Sequence, residues 1–379
     1  EESDTAVGAA RYEPRNPIEA QLRDIWRTVL GREVVDLSGD FFEMGGQSFE
    51  AVRIVGAIRN QIGMTLSIGV IWETRNIERL AELLSQDAIH QAHPHRVLLR
   101  QSESGVPLYL VHPAGGHVMC YRQLSSRLDS PVTAFQAAGL DGQSQSLDNI
   151  AAMAHRYVQA LIEVQPHGPV FLGGWSSGAL IAFEMAAQLQ DIGRQVAGVV
   201  LVDCPAPVVS QPDIDDLTLL AWFLEDLALD LPVHTLLASL DLSELDDVQQ
   251  LQAVAQQLRK LNHTAMDTLS ALLPVYRVFK GIVRGSRDYR PAAIDADLLL
   301  LRARDGVVSE FATHSHTAAV DWGWSNLTRG RITAHYRAGT HHTLLQPPHL
   351  EQSADTIAKW LHSRDSAHQA VAARLALAD

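Results

Sequence analysis

Residues 173–180 read GGWSSGAL, two adjacent serines set between glycines, directly behind the apolar run Val170-Phe171-Leu172. Within this stretch Gly174-Trp175-Ser176-Ser177-Gly178 has the form G-x-S-x-G, and ALIAFEMAAQLQ (179–190) follows with helical composition. Strand, five-residue turn and helix form the context of a nucleophile elbow, in which the central serine is raised to the apex of a sharp, strained turn. The glycines answer a steric demand, because larger side chains would collide with the adjoining strand and helix. In this register Ser176 is the apex residue and candidate nucleophile. Ser177 opens the helix, where backbone N–H groups lack intrahelical partners, and is a candidate oxyanion donor.

An elbow needs a sheet around it. Short apolar runs recur at RVLLR (96–100), LYLVH (108–112), VTAFQ (132–136), GVVLVD (198–203), DLLLLRA (297–303) and RITAHY (331–336). Helical stretches at 147–164 and 178–192 lie between several of them. Runs apolar on both faces, alternating with helices, predict a largely parallel sheet covered on each side. Between Asp203 and Asp297 the rhythm breaks: DDLTLLAWFLEDLALD (215–230) and SELDDVQQLQAVAQQLRKL (243–261) are helical patterns with no strand among them. An insertion of this length predicts a helical lid over one end of the sheet, about residues 207–290. Its second pattern opens with Ser243 and Asp246 in capping-box spacing.

A serine hydroxyl needs a base, and the base an orienting carboxylate, in the chain order Ser, acid, His. The loop AGTHHTLL (338–345), after the last apolar run, offers two histidines. The turn Gly339-Thr340-His341 favours His341 as base, leaving His342 as a packing neighbour. Two aspartates compete as the acid, Asp203 in LVDCP (201–205) and Asp305 in LLRARDG (300–306), and strand position alone favours Asp305. HPAGG (112–116) follows an early strand, so the Ala114 N–H is the expected second oxyanion donor. His112 reads as a residue that fixes this loop by hydrogen bonding.

Upstream the periodicity is helical throughout. PIEAQLRDIWRTVLG (17–31) sets Ile18, Leu22, Ile25, Trp26 and Val29 on one face, with Gly31 as the stop. SFEAVRIVGAIRNQIG (48–63) repeats the pattern through Phe49, Val52, Val55 and Ile58, and NIERLAELLS (76–85) adds a third helix. A small helical bundle is expected over residues 13–87, then a polar linker at 88–95, then the sheet domain at 96–365. The linker histidines read as solvated residues, and no metal site is expected. Ser48 starts a helix after two glycines, and a helix N-terminus favours a phosphate ester. On local signal alone, a simple N-cap serine is the stronger reading.

Composition bounds the partners. The chain has 379 residues, 46% hydrophobic and 20% charged, enough for two folding units with sizeable cores. A formal charge of −14 argues against nucleic acid and anionic membrane surfaces. No apolar run reaches the roughly 18 residues of a membrane span. Cys120 and Cys204 stand far apart in no metal spacing, which fits a reducing cytoplasm. The polar N-terminus shows no signal-peptide pattern and no initiator Met, so an excised piece of a longer chain is expected.

Taken together, these motifs carry a resemblance. DFFEMGGQSFEAV (40–52) resembles the attachment motif of peptidyl carrier proteins, while HPAGG, GWSSG, LVDC and GTHHTLL resemble the thioesterase domains that terminate nonribosomal peptide synthetases. Over about residues 13–365 the chain resembles the carboxyl-terminal carrier–thioesterase didomain of such a synthetase. The resemblance implies a small all-α carrier bundle followed by an α/β-hydrolase domain with a mobile helical lid. It implies 4′-phosphopantetheine carried covalently on Ser48 and installed by a phosphopantetheinyl transferase. It selects Asp203, 27 positions after Ser176, as the acid, with Asp305 as backup. Ser176, His341 and Asp203 would then release a peptidyl thioester by hydrolysis or macrocyclisation, with Ala114 and Ser177 holding the oxyanion. Upstream condensation and adenylation domains would be the partners. A stand-alone carboxylesterase with an accessory helical domain is the competing expectation.

Overall fold

The computed structural model of the protein describes residues 11–46, 48–62, 69–85, 95–140, 142, 144–208, 214–227, 233–260, 272–306 and 318–376. The described residues form two compact units, one holding residues 11–85 and the other residues 95–260 and 273–376. The expected linker, except His95, lies outside the described residues.

In the first unit the described residues form four helices, α1 (Pro17–Leu30), α2 (Ser48–Ile62), α3 (Gly69–Thr74) and α4 (Ile77–Ser85). Asn16 caps α1 by accepting from Glu19 N–H, Pro17 occupies the first turn, and Gly31 ends the helix at φ 63°. The expected stripe of Leu22, Ile25, Trp26 and Val29 is buried, and Trp26 meets Phe41 edge-on at 5.9 Å. Ile18 is only half-buried; Glu19 goes inside instead, paired with Arg15. On α2 the expected Ile58 is buried and Val55 is half-buried, and Ala51 and Ile54 are buried beside them. The side chains of Phe49 and Val52 lie outside the described residues. Helix α3 has no counterpart in the periodicity, because six residues are too few to display a period; Val70 and Ile71 anchor it to the core.

In the second unit the described residues form seven strands, β1 (Arg96–Arg100), β2 (Leu108–Val111), β3 (Val132–Phe135), β4 (Val170–Trp175), β5 (Val196–Val202), β6 (Leu298–Ala303) and β7 (Ile332–Arg337). Their order is β1-β3-β2-β4-β5-β6-β7, parallel except for the antiparallel β1–β3 pair. Every residue of β2, β5 and β6 is buried, as strands covered on both faces require. Helices α5 (Arg122–Ser125), α6 (Ile150–Val164) and α7 (Ser177–Asp191) belong to the first crossovers. Helix α7 packs along β2, β4 and β5.

Among the described residues, the interval between β5 and β6 contains α8 (Asp216–Asp226), α9 (Val233–Ala238), α10 (Asp247–Lys260) and α11 (Leu273–Asp288), and no strand. The capping box of α10 sits three residues later than its spacing suggested. Asp246 accepts from Gln249 N–H (2.9 Å) while the Gln249 side chain accepts from Asp246 N–H (3.0 Å). Ser243 bonds Asp241 instead, because Asp and Gln fill both halves of the reciprocal pair. The C-terminal helix α12 (Leu350–Ala376) closes over β5 and β6, with Trp360 seated where a side chain at Gly198 would be.

Candidate active site

The elbow forms where β4 meets α7. Ser176 adopts φ 56° and ψ −136°, a conformation costly for a residue with a Cβ. A Cβ on Gly174 would lie 2.2 Å from the carbonyl carbon of Gly178, and one on Gly178 would lie 2.3 Å from Val111 O. Both glycines therefore allow backbone to touch backbone. Ser176 N–H donates to Val202 O at 2.9 Å, which ties the apex to β5. Ser177 is the first residue of α7.

Asp203 follows β5 and also has positive φ, 50°. Its carboxylate is buried and accepts twice, from Ala303 N–H at 2.6 Å through Oδ1 and from His341 Nδ1 at 2.8 Å through Oδ2. A carboxylate can only accept, so Nδ1 carries the proton and a neutral imidazole keeps its lone pair on Nε2. His341 and Ser176 line one cavity of about 110 Å³, together with Pro113, Ala114 and Trp175. Of the two contested aspartates, the structure brings Asp203 to His341.

Asp305 has a different task. Its Oδ2 accepts from Gly339 N–H at 2.7 Å, and its own N–H donates to Gly339 O at 3.1 Å. The Gly339 N–H holds its carboxyl below the usual carboxylate range. Asp305 thus shapes the base of the turn that carries His341. His342 lines the same cavity but meets a different carboxylate: its side chain is 47% exposed, with Nδ1 4.0 Å from Asp226 Oδ1.

The loop after β2 is braced as the sequence suggested. His112 is fully buried, its Nδ1–H donating to Pro113 O (2.9 Å) and its Nε2 accepting from Tyr157 O–H (2.7 Å). Burial pushes its pKa down to about 4, so the ring stays neutral and serves both bonds. Ala114, in this loop, is buried against the cavity.

Trp222, Glu225 and Asp226 of α8 and Phe279 of α11 complete the cavity wall. The sequence marked α8 as a helix, but amphipathic spacing does not say which neighbour a face will meet. Burial pushes the Asp226 carboxyl up and the His342 imidazole down, so both charges are disfavoured at the cavity rim.

In the first unit Ser48 is the first residue of the fifteen-residue α2. The preceding turn has Gly45 at φ 92° and Gly46 against Phe41, where a Cβ would lie 2.3 Å from the ring. A serine at the positive end of a helix, with a glycine packed on the Phe41 ring just before it, fits a phosphodiester link.

Known proteins share these features. Residues 106–361 match the thioesterase domain family and residues 20–84 match the phosphopantetheine attachment site family. The chain is 35% identical over 219 residues to a dimodular nonribosomal peptide synthase of Bacillus subtilis (strain 168), covering 56% of this chain and 9% of that protein. It is 26% identical over 360 residues to chondramide synthase cmdD of Chondromyces crocatus, covering 88% of this chain and 9% of that protein. It therefore spans under a tenth of either relative. Among solved structures it is similar to holo-AB3403, a four-domain nonribosomal peptide synthetase bound to AMP and glycine. That match has 30% identity and a TM-score of 0.61, over 95% of this chain and 27% of that one. The Vlm2 thioesterase domain shares the fold, with 22% identity and a TM-score of 0.51, over 70% of this chain and 96% of that one. Among the described residues no helix is long and apolar enough to cross a membrane. With its catalytic-type elbow in a mostly parallel sheet and a carrier bundle ahead of it, the chain belongs to the thioesterase domain family and is a carrier–thioesterase didomain of nonribosomal peptide synthetase type.

Proposed function

We propose that this didomain ends peptide assembly on a larger synthetase, using Ser176, His341 and Asp203 as its triad. The observation that carries the reading is His341, bonded at 2.8 Å to the buried Asp203 and lining the same cavity as a serine held at positive φ. When bound at Ser48, phosphopantetheine supplies a flexible thiol on which the acyl chain travels as a thioester. His341 Nε2 takes the Ser176 hydroxyl proton as Oγ attacks the thioester carbonyl. Asp203 stabilises the imidazolium so formed, and the N–H groups of Ala114 and Ser177 receive the oxyanion. As the C–S bond breaks, His341 returns the proton to the leaving sulfur and the acyl group stays on Ser176 as an ester. Water, or a nucleophile within the acyl chain, then frees it as an acid or a ring. Covalent fusion of carrier and thioesterase makes delivery intramolecular, which raises effective concentration without any new contact.

Helices α8 to α11 act as the lid, because α8 and α11 supply the side of the cavity facing the elbow. Condensation and adenylation domains upstream, and a phosphopantetheinyl transferase, are the partners this chemistry requires. Both cysteines are free thiols, which supports a reducing, cytoplasmic setting. Two measurements test the reading. Incubation with coenzyme A and a phosphopantetheinyl transferase should add mass to the peptide containing Ser48, and a fluorophosphonate should label Ser176. No gain at Ser48 would leave a carboxylesterase with an accessory bundle; no label at Ser176 would remove the nucleophile. Ser176→Ala should still load at Ser48 yet form no acyl-enzyme.

A further inference from the structure

Tyr121 ends a short 3-10 turn (Met119–Tyr121) that continues the loop bearing Ala114. It is 0% exposed. Its hydroxyl donates to Val111 O at 2.6 Å and accepts from Trp175 N–H at 2.7 Å. Those backbone atoms lie at the ends of two neighbouring parallel strands: Val111 closes β2, where it pairs with Gly174, and Trp175 closes β4. Elsewhere in a parallel sheet N–H and C=O of adjacent strands bond directly. Here a phenol oxygen stands between donor and acceptor and holds the two strand ends apart by the width of one atom.

Both strand ends lead into the proposed oxyanion hole. Three residues beyond Val111 is Ala114, and two beyond Trp175 is Ser177, the two donors. Toward β3 the Ala114 loop is tied by His112 N–H to Phe135 O at 3.1 Å. Toward β4 its tie runs through the Tyr121 hydroxyl. An oxyanion hole works only when both donors fall about 2.7–3.1 Å from the developing charge. Their separation is inherited from the separation of β2 and β4 at the point Tyr121 bridges. Burial raises the phenol's pKa well above its ordinary value, so the hydroxyl keeps its proton, and the bridge its geometry, at any working pH.

We propose that Tyr121 is a positioning residue for acyl transfer, its hydroxyl acting as a one-atom spacer that sets the distance between the Ala114 and Ser177 N–H groups. This inference rests on the proposed thioesterase mechanism. Without the oxygen, Trp175 N–H and Val111 O either close on each other or stay unbonded, and both outcomes misplace the donors. Substrate binding away from the carbonyl is untouched, so the loss falls on the chemical step.

The test uses the whole didomain and the N-acetylcysteamine thioester of a short peptide, with single-turnover acylation counted per site labelled exhaustively by fluorophosphonate. Tyr121→Phe should slow acylation about 100-fold while the half-saturating concentration stays within about twofold. Affinity for a trifluoromethyl ketone analogue should fall by a similar factor, because its oxyanion needs the same two donors. Tyr121→4-aminophenylalanine, which restores a hydrogen-bonding atom at the same place, should recover part of the rate. A purely structural tyrosine predicts fewer labelled sites with unchanged rate per site, and acylation within about threefold of the parent would overturn the proposal. Should Tyr121→Phe not fold, 3,5-difluorotyrosine at this position keeps ring and oxygen but weakens the acceptor. Acylation slowed about threefold or more at unchanged half-saturation sustains the spacer, and an unaltered rate overturns it. A parent protein that takes no label at Ser176 sinks the thioesterase mechanism itself, which separates the two failures.

Discussion

Replacing Asp203 by asparagine preserves shape and changes one donor–acceptor relation. The carboxylate accepts from Ala303 N–H at 2.6 Å and from His341 Nδ1–H at 2.8 Å. An amide offers one acceptor and one donor. Ala303 N–H belongs to the β6 backbone and cannot turn away, so the amide oxygen must face it; the reverse orientation would oppose two buried donors. The amide N–H then points at Nδ1, which has to accept. The neutral ring consequently carries its proton on Nε2 and has no lone pair for Ser176. A wrong tautomer in this role costs about 10⁴ in kcat, or about 5 kcal/mol of barrier. Stability should change by no more than about 1 kcal/mol, since both hydrogen bonds are replaced. Single-turnover acylation with a thioester substrate, read beside thermal unfolding, measures both. Asp305→Asn is the control: its amide oxygen can still accept from Gly339 N–H, so acylation should stay within about tenfold of the parent. If Asp203→Asn kept more than about a tenth of the rate, or if Asp305→Asn proved the more damaging, the tautomer reasoning would be wrong.

Gly178→Ala puts a methyl group 2.3 Å from Val111 O, with backbone on both sides of the contact. It should destabilise the sheet unit by about 1–3 kcal/mol and lower its melting midpoint by about 2–10 °C, readable by calorimetry; an unchanged midpoint would mean the elbow has slack. His112 gives a pH signature. In the unfolded chain it binds a proton near 6.5, while in the fold it stays neutral down to about 4. Between those values the unfolded state holds more protons, so stability falls as pH drops, by up to about 3 kcal/mol at the lower end. Urea titrations at several pH values should show a flatter profile for His112→Gln in this window, and parallel profiles would refute the assignment.

The elbow could be read from sequence because its constraint is local. Gly174 is needed for a contact made within the turn itself, and Gly178 for the close approach of β2 that every strand–turn–helix elbow of this form makes. Strands β2, β5 and β6 were legible because a strand buried on both faces has to be apolar throughout, whereas the partly buried β1 and β7 mix apolar residues with Arg, Thr, His and Tyr. Shorter or shared features were not. Helix α3 has too few residues to show a period, and on α2 the buried Ala51 is too small to mark a face. Spacing alone pointed to Ser243 for the α10 cap that Asp246 and Gln249 share.

Residue order supplied the candidates: a strained serine, two histidines in one loop and an aspartate after each of two adjacent strands. Folding chose among them. Asp203 and Asp305 follow β5 and β6 in equivalent fashion; strand position alone favoured Asp305, the family resemblance of LVDC selected Asp203, and the fold brings Asp203 to His341. The choice depends on the β7 loop, where Asp305 is used up on Gly339 and so turns His341 toward Asp203. Tyr121 was invisible for the same reason, since its partners are backbone atoms 10 and 54 residues away and backbone leaves no signature in side-chain identity. Local sterics can be read along a chain, whereas hydrogen bonds between strand ends exist only once the sheet has set their register.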